Sequence, residues 1–286
     1  MKKVLITGAN GMLAKAVRER FKEDELILTD VSGEFDSLDI TDKNAVIEYA
    51  KEKKPDIIIN CAAYTAVDKA EEAGEIVEKI NAEGPGNLAK AANEIGATLV
   101  HISTDYVFGG TLDLDKSYKE DDEKHPVTAY GITKLKGEEL IKENTDKFYI
   151  FRTAWLYGDG KNFVRTMLNL GNTKDEINVV NDQHGSPTYA VDLANYIYEA
   201  INKNIPFGIY NATNEGFTTW YDFTLKIFED AGITTCKVNP VSSDEYVTPA
   251  KRPLNSMMSK EKLKNAGIEV PSWEDALERY LKIELK

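Results

Sequence analysis

Short apolar runs alternate with amphipathic stretches through the first half of the chain. The runs are nearly continuous, which is typical of strands buried on both faces of a parallel sheet. They predict strands over residues 2–7, 25–30, 56–63, 97–103 and 147–153. The stretches between them space their apolar positions as a helix does, near 12–22, 42–53, 76–95 and 128–144. Strands and helices that alternate in this way predict an α/β fold, a doubly wound parallel sheet with helices on both faces.

The regularity loosens beyond about residue 155, and the pattern there predicts a smaller α/β lobe. Helices are expected near residues 161–170, 190–202, 218–231, 259–266 and 272–284, with extended pieces at 177–181 and 207–211. We therefore predict a first domain over residues 1–155, to which segments near 185–200 return, and a second lobe over residues 156–286.

Composition and charge narrow the functional classes. The 286 residues carry a formal net charge of −13 and no basic block, which argues against binding to nucleic acid or to an anionic membrane. The two cysteines, Cys61 and Cys236, do not make a disulfide framework. The apolar run at the start is too short for a signal sequence, and no stretch approaches a membrane span. These features predict a cytoplasmic location.

Two small-residue segments follow predicted strands. In TGANGMLA, residues 7–14, Gly8 and Gly11 permit a tight turn, and the helix that follows would present free N–H groups to a pyrophosphate. Such a segment can be only a turn, but its place in a strand–turn–helix unit favours a dinucleotide site. In NCAAYTAVD, residues 60–68, small side chains would let a flat ligand lie against the sheet edge, although tight helix packing explains them nearly as well.

Acidic residues after the second strand bear on the choice of cofactor. Asp30 ends that strand, where a carboxylate can accept hydrogen bonds from an adenosine ribose and would repel a 2′-phosphate. No arginine follows it directly, so the sequence favours NADH, with NADPH possible. A simple turn residue is the alternative for Asp30. Asp39 is placed to meet the adenine amine, and Asp42 is expected to cap the next helix.

A tyrosine and a lysine give the strongest catalytic signal. Tyr130 and Lys134, in TAYGITK, lie four residues apart and share one face of a predicted helix. A lysine ammonium nearby would lower the pKa of the tyrosine and so make it a better acid at neutral pH. The segment HISTDYVFGG ends a strand at the sheet edge where ligands bind, so Thr104 or Ser103 could bond the substrate oxygen that Tyr130 protonates. Such a tyrosine–lysine pair is common by chance; the nucleotide loop and the polar strand end together strengthen it.

Several segments resemble the extended short-chain dehydrogenase/reductase superfamily and, within it, the dTDP-4-dehydrorhamnose reductases. In chain order they are TGANGMLA, NCAAYTAVDKAE, STDYVFGG, YGITK, FRTAWLYG, NDQHGSPTY and RPLNSMMSKEKL. The resemblance implies a Rossmann-type domain that binds NAD(P) and a smaller lobe that binds a sugar nucleotide. The implied reaction is the NAD(P)H-dependent reduction of the C4 ketone of dTDP-4-dehydro-L-rhamnose to dTDP-L-rhamnose.

The resemblance also implies roles for single residues. Tyr130 would donate the proton, Lys134 would tune it and hold the nicotinamide ribose, and Thr104 would polarise the C4 oxygen. The implied cofactor contacts are Gly8, Asn10, Gly11, Met12, Leu13, Asp30, Asp39, Ile40, Cys61, Ala62, Ala63, Tyr64, Ser103, Tyr130 and Lys134. The implied substrate contacts are Val67, Thr104, Asp105, Tyr106, Trp155, Gln183 and Arg252, where Arg252 would pair with a phosphate unless it forms a surface salt bridge.

At two places the sequence differs from related enzymes, and these differences bear on the type of reaction and on a metal-bridged dimer. Dehydratases of the superfamily carry Thr-Asp-Glu where this chain has Thr104-Asp105-Tyr106, so elimination of water would lack its base. Some reductases of the family form dimers bridged by a divalent cation near the first helix, but Lys15 and Ala16 stand there in this chain. We predict no metal site and leave a homodimer open. An enzyme acting on another nucleotide sugar, epimerase or reductase, and a non-catalytic regulatory subunit are the alternatives.

Overall fold

Thirteen strands and eleven α-helices make up the fold, and the computed structural model describes all 286 residues. The strands are β1 (Lys3–Thr7), β2 (Glu25–Asp30), β3 (Asp36–Ser37), β4 (Ile57–Asn60), β5 (Thr98–Thr104), β6 (Phe148–Thr153), β7 (Leu156–Tyr157), β8 (Glu176–Val180), β9 (His184–Gly185), β10 (Thr188–Tyr189), β11 (Gly208–Asn211), β12 (Thr218–Thr219) and β13 (Lys237–Val241). The helices are α1 (Met12–Arg20), α2 (Lys43–Lys53), α3 (Val67–Ala73), α4 (Glu75–Glu78), α5 (Gly84–Ile95), α6 (Ala129–Asn144), α7 (Phe163–Thr173), α8 (Ala190–Lys203), α9 (Trp220–Ala231), α10 (Glu261–Asn265) and α11 (Trp273–Glu284).

Seven parallel strands form the central sheet, in the order β11-β6-β5-β4-β1-β2-β3. All of their pairings are parallel, so the carboxyl ends of the strands meet at one edge. The chain runs outward from β1 in both directions, and the reversal between β1 and β4 opens a crevice at that edge. The predicted doubly wound α/β fold is therefore confirmed.

Both faces of the sheet are buried by helices. On β1, Val4 and Ile6 face α1 and α8, where they meet Val17 and Leu193. Leu5 points the other way, into the cluster that α2 and α5 cover. Each such side chain contributes about 1.5–3 kcal/mol when it is fully buried, which explains why these strands read as continuous apolar runs.

The later part of the chain builds a second hydrophobic cluster. Buried side chains from α7, α9 and α11, among them Leu168, Phe223 and Leu277, pack together away from the central sheet. Strand β8 pairs with β13 beside this cluster. Helix α8 instead packs against α1, and β11 extends the central sheet beyond β6. The domain boundary near residue 155 stays a prediction.

The predicted helix over 76–95 is interrupted, and the interruption bears on the site. Gly74 adopts a φ of +48°, and a π-helical turn, Lys79–Glu83, precedes α5. Within that turn the Asn81 side chain accepts a hydrogen bond from the Tyr64 N–H at 2.8 Å and donates to the Tyr64 carbonyl at 3.1 Å. The irregular turn thus anchors the loop that leaves β4.

No helix has the length and apolar character needed to cross a membrane.

Candidate active site

A cavity of about 450 Å³ lies at the carboxyl edge of the central sheet. Many of the residues singled out from the sequence line it together: Gly11, Met12, Leu13, Cys61, Ala62, Ala63, Val67, Ser103, Thr104, Asp105, Tyr106, Tyr130, Lys134 and Trp155. The structure therefore places candidate cofactor, catalytic and substrate residues around one space.

The glycine loop at the start of α1 has the form that a dinucleotide needs. Gly8 adopts a φ of +65°, and a Cβ there would lie 2.7 Å from the backbone of Ala62, so only glycine fits. Gly11 caps α1 without a side-chain hydrogen bond. The first N–H groups of the helix, around Met12, therefore have no intrahelical partner and are free for a pyrophosphate. These residues fit a nicotinamide dinucleotide.

Other residues proposed for the cofactor lie outside the cavity, toward the outer strands. The carboxylate of Asp30 accepts hydrogen bonds from the backbone N–H groups of Asn10 at 3.0 Å and Ser32 at 3.3 Å, which fixes the loop between them. Asp39 accepts from the N–H and hydroxyl of Thr41. Six candidates do not line the cavity: Gly8, Asn10, Asp30, Asp39, Ile40 and Tyr64. Of these, Ile40 has its side chain in the hydrophobic core. Contact with a cofactor stays a prediction for these residues and for the candidates that do line the cavity.

Thr104 and Asp105 form a buried polar group at the end of β5, beside the partly buried Tyr130 of α6. The Thr104 hydroxyl donates to Asp105 Oδ1 at 2.9 Å and accepts from the Tyr106 N–H at 3.2 Å. Burial raises the pKa of the Asp105 carboxyl to about 6. Burial, reinforced by the Asp105 charge, raises the pKa of Tyr130. Tyr130 therefore carries its proton at neutral pH, as a proton donor must.

The expectation that Lys134 lowers the pKa of Tyr130 is wrong in this structure. The Lys134 side-chain nitrogen donates to the Ile102 carbonyl and contacts His101 Nε2 at 3.2 Å, so two of its three hydrogen-bonding positions face away from Tyr130. Asp105, a negative group, is the charge that acts on Tyr130. The shared helix face was predicted correctly, but what else faces the lysine was not visible in the sequence.

A buried ion pair ties the catalytic helix to the sheet. Arg152, on β6, donates to Glu138, on α6, through Nε at 2.9 Å and a terminal nitrogen at 2.7 Å. Both side chains are fully buried. The Ser103 hydroxyl also donates to Glu138, so the carboxylate holds β5, β6 and α6 in register one turn beyond Lys134. Nothing in the sequence pattern marked this pair.

Three residues proposed for the substrate have different surroundings. Trp155 adopts a left-handed φ of +49° and stacks on Trp220, with ring centroids 3.6 Å apart, so it forms a flat wall of the cavity. Gln183 does not line the cavity and donates to the Ser243 hydroxyl at 2.9 Å. Arg252 does not line it either.

The Arg252 side chain donates to Asp68 at 2.8 Å and to the Tyr106 hydroxyl at 3.1 Å. This is the salt bridge that the sequence left open as the alternative to a phosphate contact. Because the pair is partly exposed, we ascribe little stability to it.

Eight further residues line the cavity that were not proposed individually from the sequence. They are Ala14, Asn60, Thr65, Ile102, Thr153, Ala154, Leu156 and Lys161. Thr153 pairs in register with Thr104, so the argument that polar strand ends bind ligands could have found it. Lys161 has no comparable signal. The structure contains no group of three or more His, Cys, Asp or Glu side chains that could hold a metal ion.

Comparisons with known proteins agree with this geometry. The model of the RmlD substrate binding domain family matches residues 1–285. The dTDP-4-dehydrorhamnose reductase of Salmonella typhimurium is 40% identical over 290 residues, which cover 97% of this chain and 96% of that protein.

Two solved structures extend the likeness to three dimensions. A dTDP-4-dehydrorhamnose reductase from Clostridium acetobutylicum superposes with a TM-score of 0.94 at 46% identity, covering 99% of this chain and 100% of the other. One from Bacillus anthracis, in complex with NADP, gives 0.92 at 42% identity with the same coverage. The fold, the cavity and these matches lead to one assignment: the chain belongs to the RmlD family, together with the dTDP-4-dehydrorhamnose reductases.

Proposed function

We propose that this protein is a reductase that converts dTDP-4-dehydro-L-rhamnose to dTDP-L-rhamnose with a reduced nicotinamide cofactor. The observation that carries the proposal is the single cavity in which Thr104, Tyr130 and Lys134 face the free start of α1. Membership in the family supports the choice of substrate.

The chemistry divides between the cofactor and the protein. The reduced nicotinamide supplies a hydride to C4 of the sugar. Tyr130 gives its proton to the C4 oxygen, and Lys134 holds a hydroxyl of the nicotinamide ribose. The Thr104 hydroxyl has one proton, which it donates to Asp105, so it can polarise the C4 oxygen only by leaving Asp105. The Asp105 carboxylate is then free to accept a hydrogen bond from a sugar hydroxyl.

The position after Asp105 favours reduction over elimination. Tyr106 occupies the position where dehydratases have a glutamate base. Its hydroxyl accepts a hydrogen bond from Arg252. Burial raises the pKa of Tyr106 to about 12, so the phenol stays protonated. A base for removing a proton from carbon is therefore missing at this position.

We propose NADH as the preferred cofactor. The carboxylate of Asp30 lies at the end of β2, where the adenosine ribose of a dinucleotide binds in this fold, and its negative charge opposes a 2′-phosphate. The relative from Bacillus anthracis was solved with NADP, so NADPH is the competing cofactor to test.

Replacing Asp30 with Asn should raise kcat/KM for NADPH relative to NADH by about tenfold, since like charges near a protein surface repel by about 1 kcal/mol or more. The Asn side-chain oxygen can still accept from the Asn10 N–H, while the longer bond from the Ser32 N–H is lost. Steady-state kinetics with each cofactor measure the ratio. Asp36→Asn, which removes a nearby carboxylate that accepts from Tyr49, is the matched control and should leave the ratio unchanged.

The function is tested by mixing the protein with NADH and enzymatically generated dTDP-4-dehydro-L-rhamnose. Stoichiometric loss of absorbance at the reduced nicotinamide band, with dTDP-L-rhamnose identified as product, is the expected result. A parallel reaction with a UDP-linked 4-keto sugar tests whether the enzyme distinguishes the nucleobase of its substrate. If the protein bound NADH but did not oxidise it in the presence of dTDP-4-dehydro-L-rhamnose, the proposed substrate would be contradicted.

A further inference from the structure

Behind Lys134 lies a buried polar chain to which no role has been given. His101, on β5, is 1% exposed and does not line the cavity. Its Nε2 lies 3.2 Å from Lys134 Nζ, and its Nδ1 lies 3.0 Å from Asn60 Nδ2. Since the imidazole reaches neither solvent nor the cavity, it can act on the reaction only through the two cavity residues that it contacts, Lys134 and Asn60.

The orientation of Asn60 follows from its other contacts. Asn60 Oδ1 accepts from the Ala62 N–H at 3.1 Å and from the Thr7 hydroxyl at 2.7 Å. A backbone N–H can only donate, so the oxygen of the amide must face Ala62 and its NH₂ group must face His101. His101 Nδ1 is therefore the acceptor, and a neutral imidazole in this position carries its proton on Nε2.

This tautomer restricts the form of Lys134. An ammonium has only donors, so Nζ–H groups would face the Nε2–H of His101. A neutral amine has a lone pair that accepts from Nε2–H while one of its own N–H groups donates to the Ile102 carbonyl. If the imidazole proton moved to Nδ1 instead, it would face the NH₂ of Asn60. The amine form is thus the one that satisfies every contact.

We propose that His101, held by Asn60 in its Nε2–H tautomer, is a positioning residue that donates to Lys134 and stabilises its amine form in the free enzyme. The catalytic meaning of this rests on the proposed function, in which Lys134 is part of the active site. The tautomer and the form of the lysine do not rest on it.

Burial acts in the same direction as the contact between His101 and Lys134. It lowers the pKa of Lys134 to about 8, so that the amine is populated beside the ammonium near neutral pH, and it lowers the pKa of His101 well below its ordinary value. The opposing influence on Lys134 is Glu138, on its own helix, which is already paired with Arg152 from β6. Five other titratable groups line the same cavity. Tyr130 from α6, Asp105 and Tyr106 after β5, and Cys61 after β4 each have a raised pKa, and the fifth is Lys161.

The tautomer can be read directly. With ¹⁵N-labelled histidine, long-range proton–nitrogen correlation spectra distinguish Nε2–H from Nδ1–H, and a His101→Gln variant assigns the signal among the three histidines. We expect neutral His101 with its proton on Nε2 throughout the neutral range. An Nδ1–H tautomer or an imidazolium would overturn the proposal, whether or not the protein is active on the proposed substrate.

The effect on Lys134 is tested with the same variant. The amide of His101→Gln can turn its carbonyl oxygen toward Nζ, which accepts from an ammonium, so the pKa of Lys134 should rise by about one pH unit. Labelling lysine at Cε and titrating by NMR measures this without catalysis. In an active enzyme, the limb of the kcat/KM profile that reports the ionisation of Lys134 should move to higher pH by the same amount.

The matched control is Val100→Ala, one residue earlier on β5. Val100 is fully buried on the opposite face of the sheet, so its truncation costs stability without touching Lys134. The titration of Lys134 should be unchanged in this variant. An equal shift in both variants, or none in His101→Gln, would show that His101 has only a structural role.

Discussion

A Tyr130→Phe enzyme is expected to keep its fold and bind NADH, yet lose at least about 100-fold in kcat/KM, the usual scale for general acid catalysis. The phenylalanine retains the edge-on contact with Tyr106, whose ring centroid is 5.6 Å away, and removes only the hydroxyl that gives the proton. Initial rates of NADH oxidation give the loss, and quenching of protein fluorescence by NADH gives the affinity.

Tyr106→Phe provides the comparison. Its hydroxyl accepts a hydrogen bond from Arg252 and takes no part in the proton transfer of the proposed reaction. We expect a loss of less than about tenfold, mostly in KM. Near-normal turnover of Tyr130→Phe, or equal losses in the two variants, would show that Tyr130 is not the proton donor.

The second large effect concerns stability. Glu138→Leu should lower the free energy of unfolding by about 3–5 kcal/mol, because it leaves the Arg152 guanidinium buried without its carboxylate. Both side chains are fully buried, and Arg152 keeps only its bond to the Glu120 carbonyl. Denaturant unfolding at neutral pH, followed by circular dichroism, measures the change.

An exposed ion pair on the same helix is the control. Lys136 pairs with Glu78 at the surface, so Lys136→Met should cost less than about 1 kcal/mol. Combining Glu138→Leu with Arg152→Met should recover part of the loss, since no charge is then buried alone. Similar losses for Glu138→Leu and Lys136→Met would mean that burial adds nothing to the pair.

Many helices and strands in the N-terminal half of the chain could be predicted because they depend on residues close together in sequence. Asp42 caps α2 as expected, accepting from the N–H groups of Asn44 and Ala45, because a cap depends on residues within one turn. The apolar strands were located within a few residues. The strand predicted over 56–63 is shorter in the structure and ends at Asn60, whose side chain contacts His101 behind Lys134.

Features that depend on distant residues could not be predicted. Strand β13, with Lys237 and Pro240 in it, has no apolar pattern and forms only because β8 is beside it. The pKa of Tyr130 is raised by burial and then by the Asp105 charge, and the protonation of Lys134 depends on its contact with His101. Sequence spacing placed Tyr130 and Lys134 on one helix face, but these other neighbours arrive from β5.

The late position of β11 in the chain has a consequence for synthesis on the ribosome. Strand β6 ends at Thr153, but its outer neighbour begins only at Gly208, so about 55 residues, roughly 3–11 s of translation, separate the two. Helix α8, which covers α1, emerges in the same interval. Until then the nascent sheet presents β6 as an open hydrogen-bonding edge, the kind of surface on which polypeptides associate wrongly. A chain truncated before Gly208 would keep that edge permanently, and we expect it to aggregate rather than to persist as a smaller dinucleotide-binding protein.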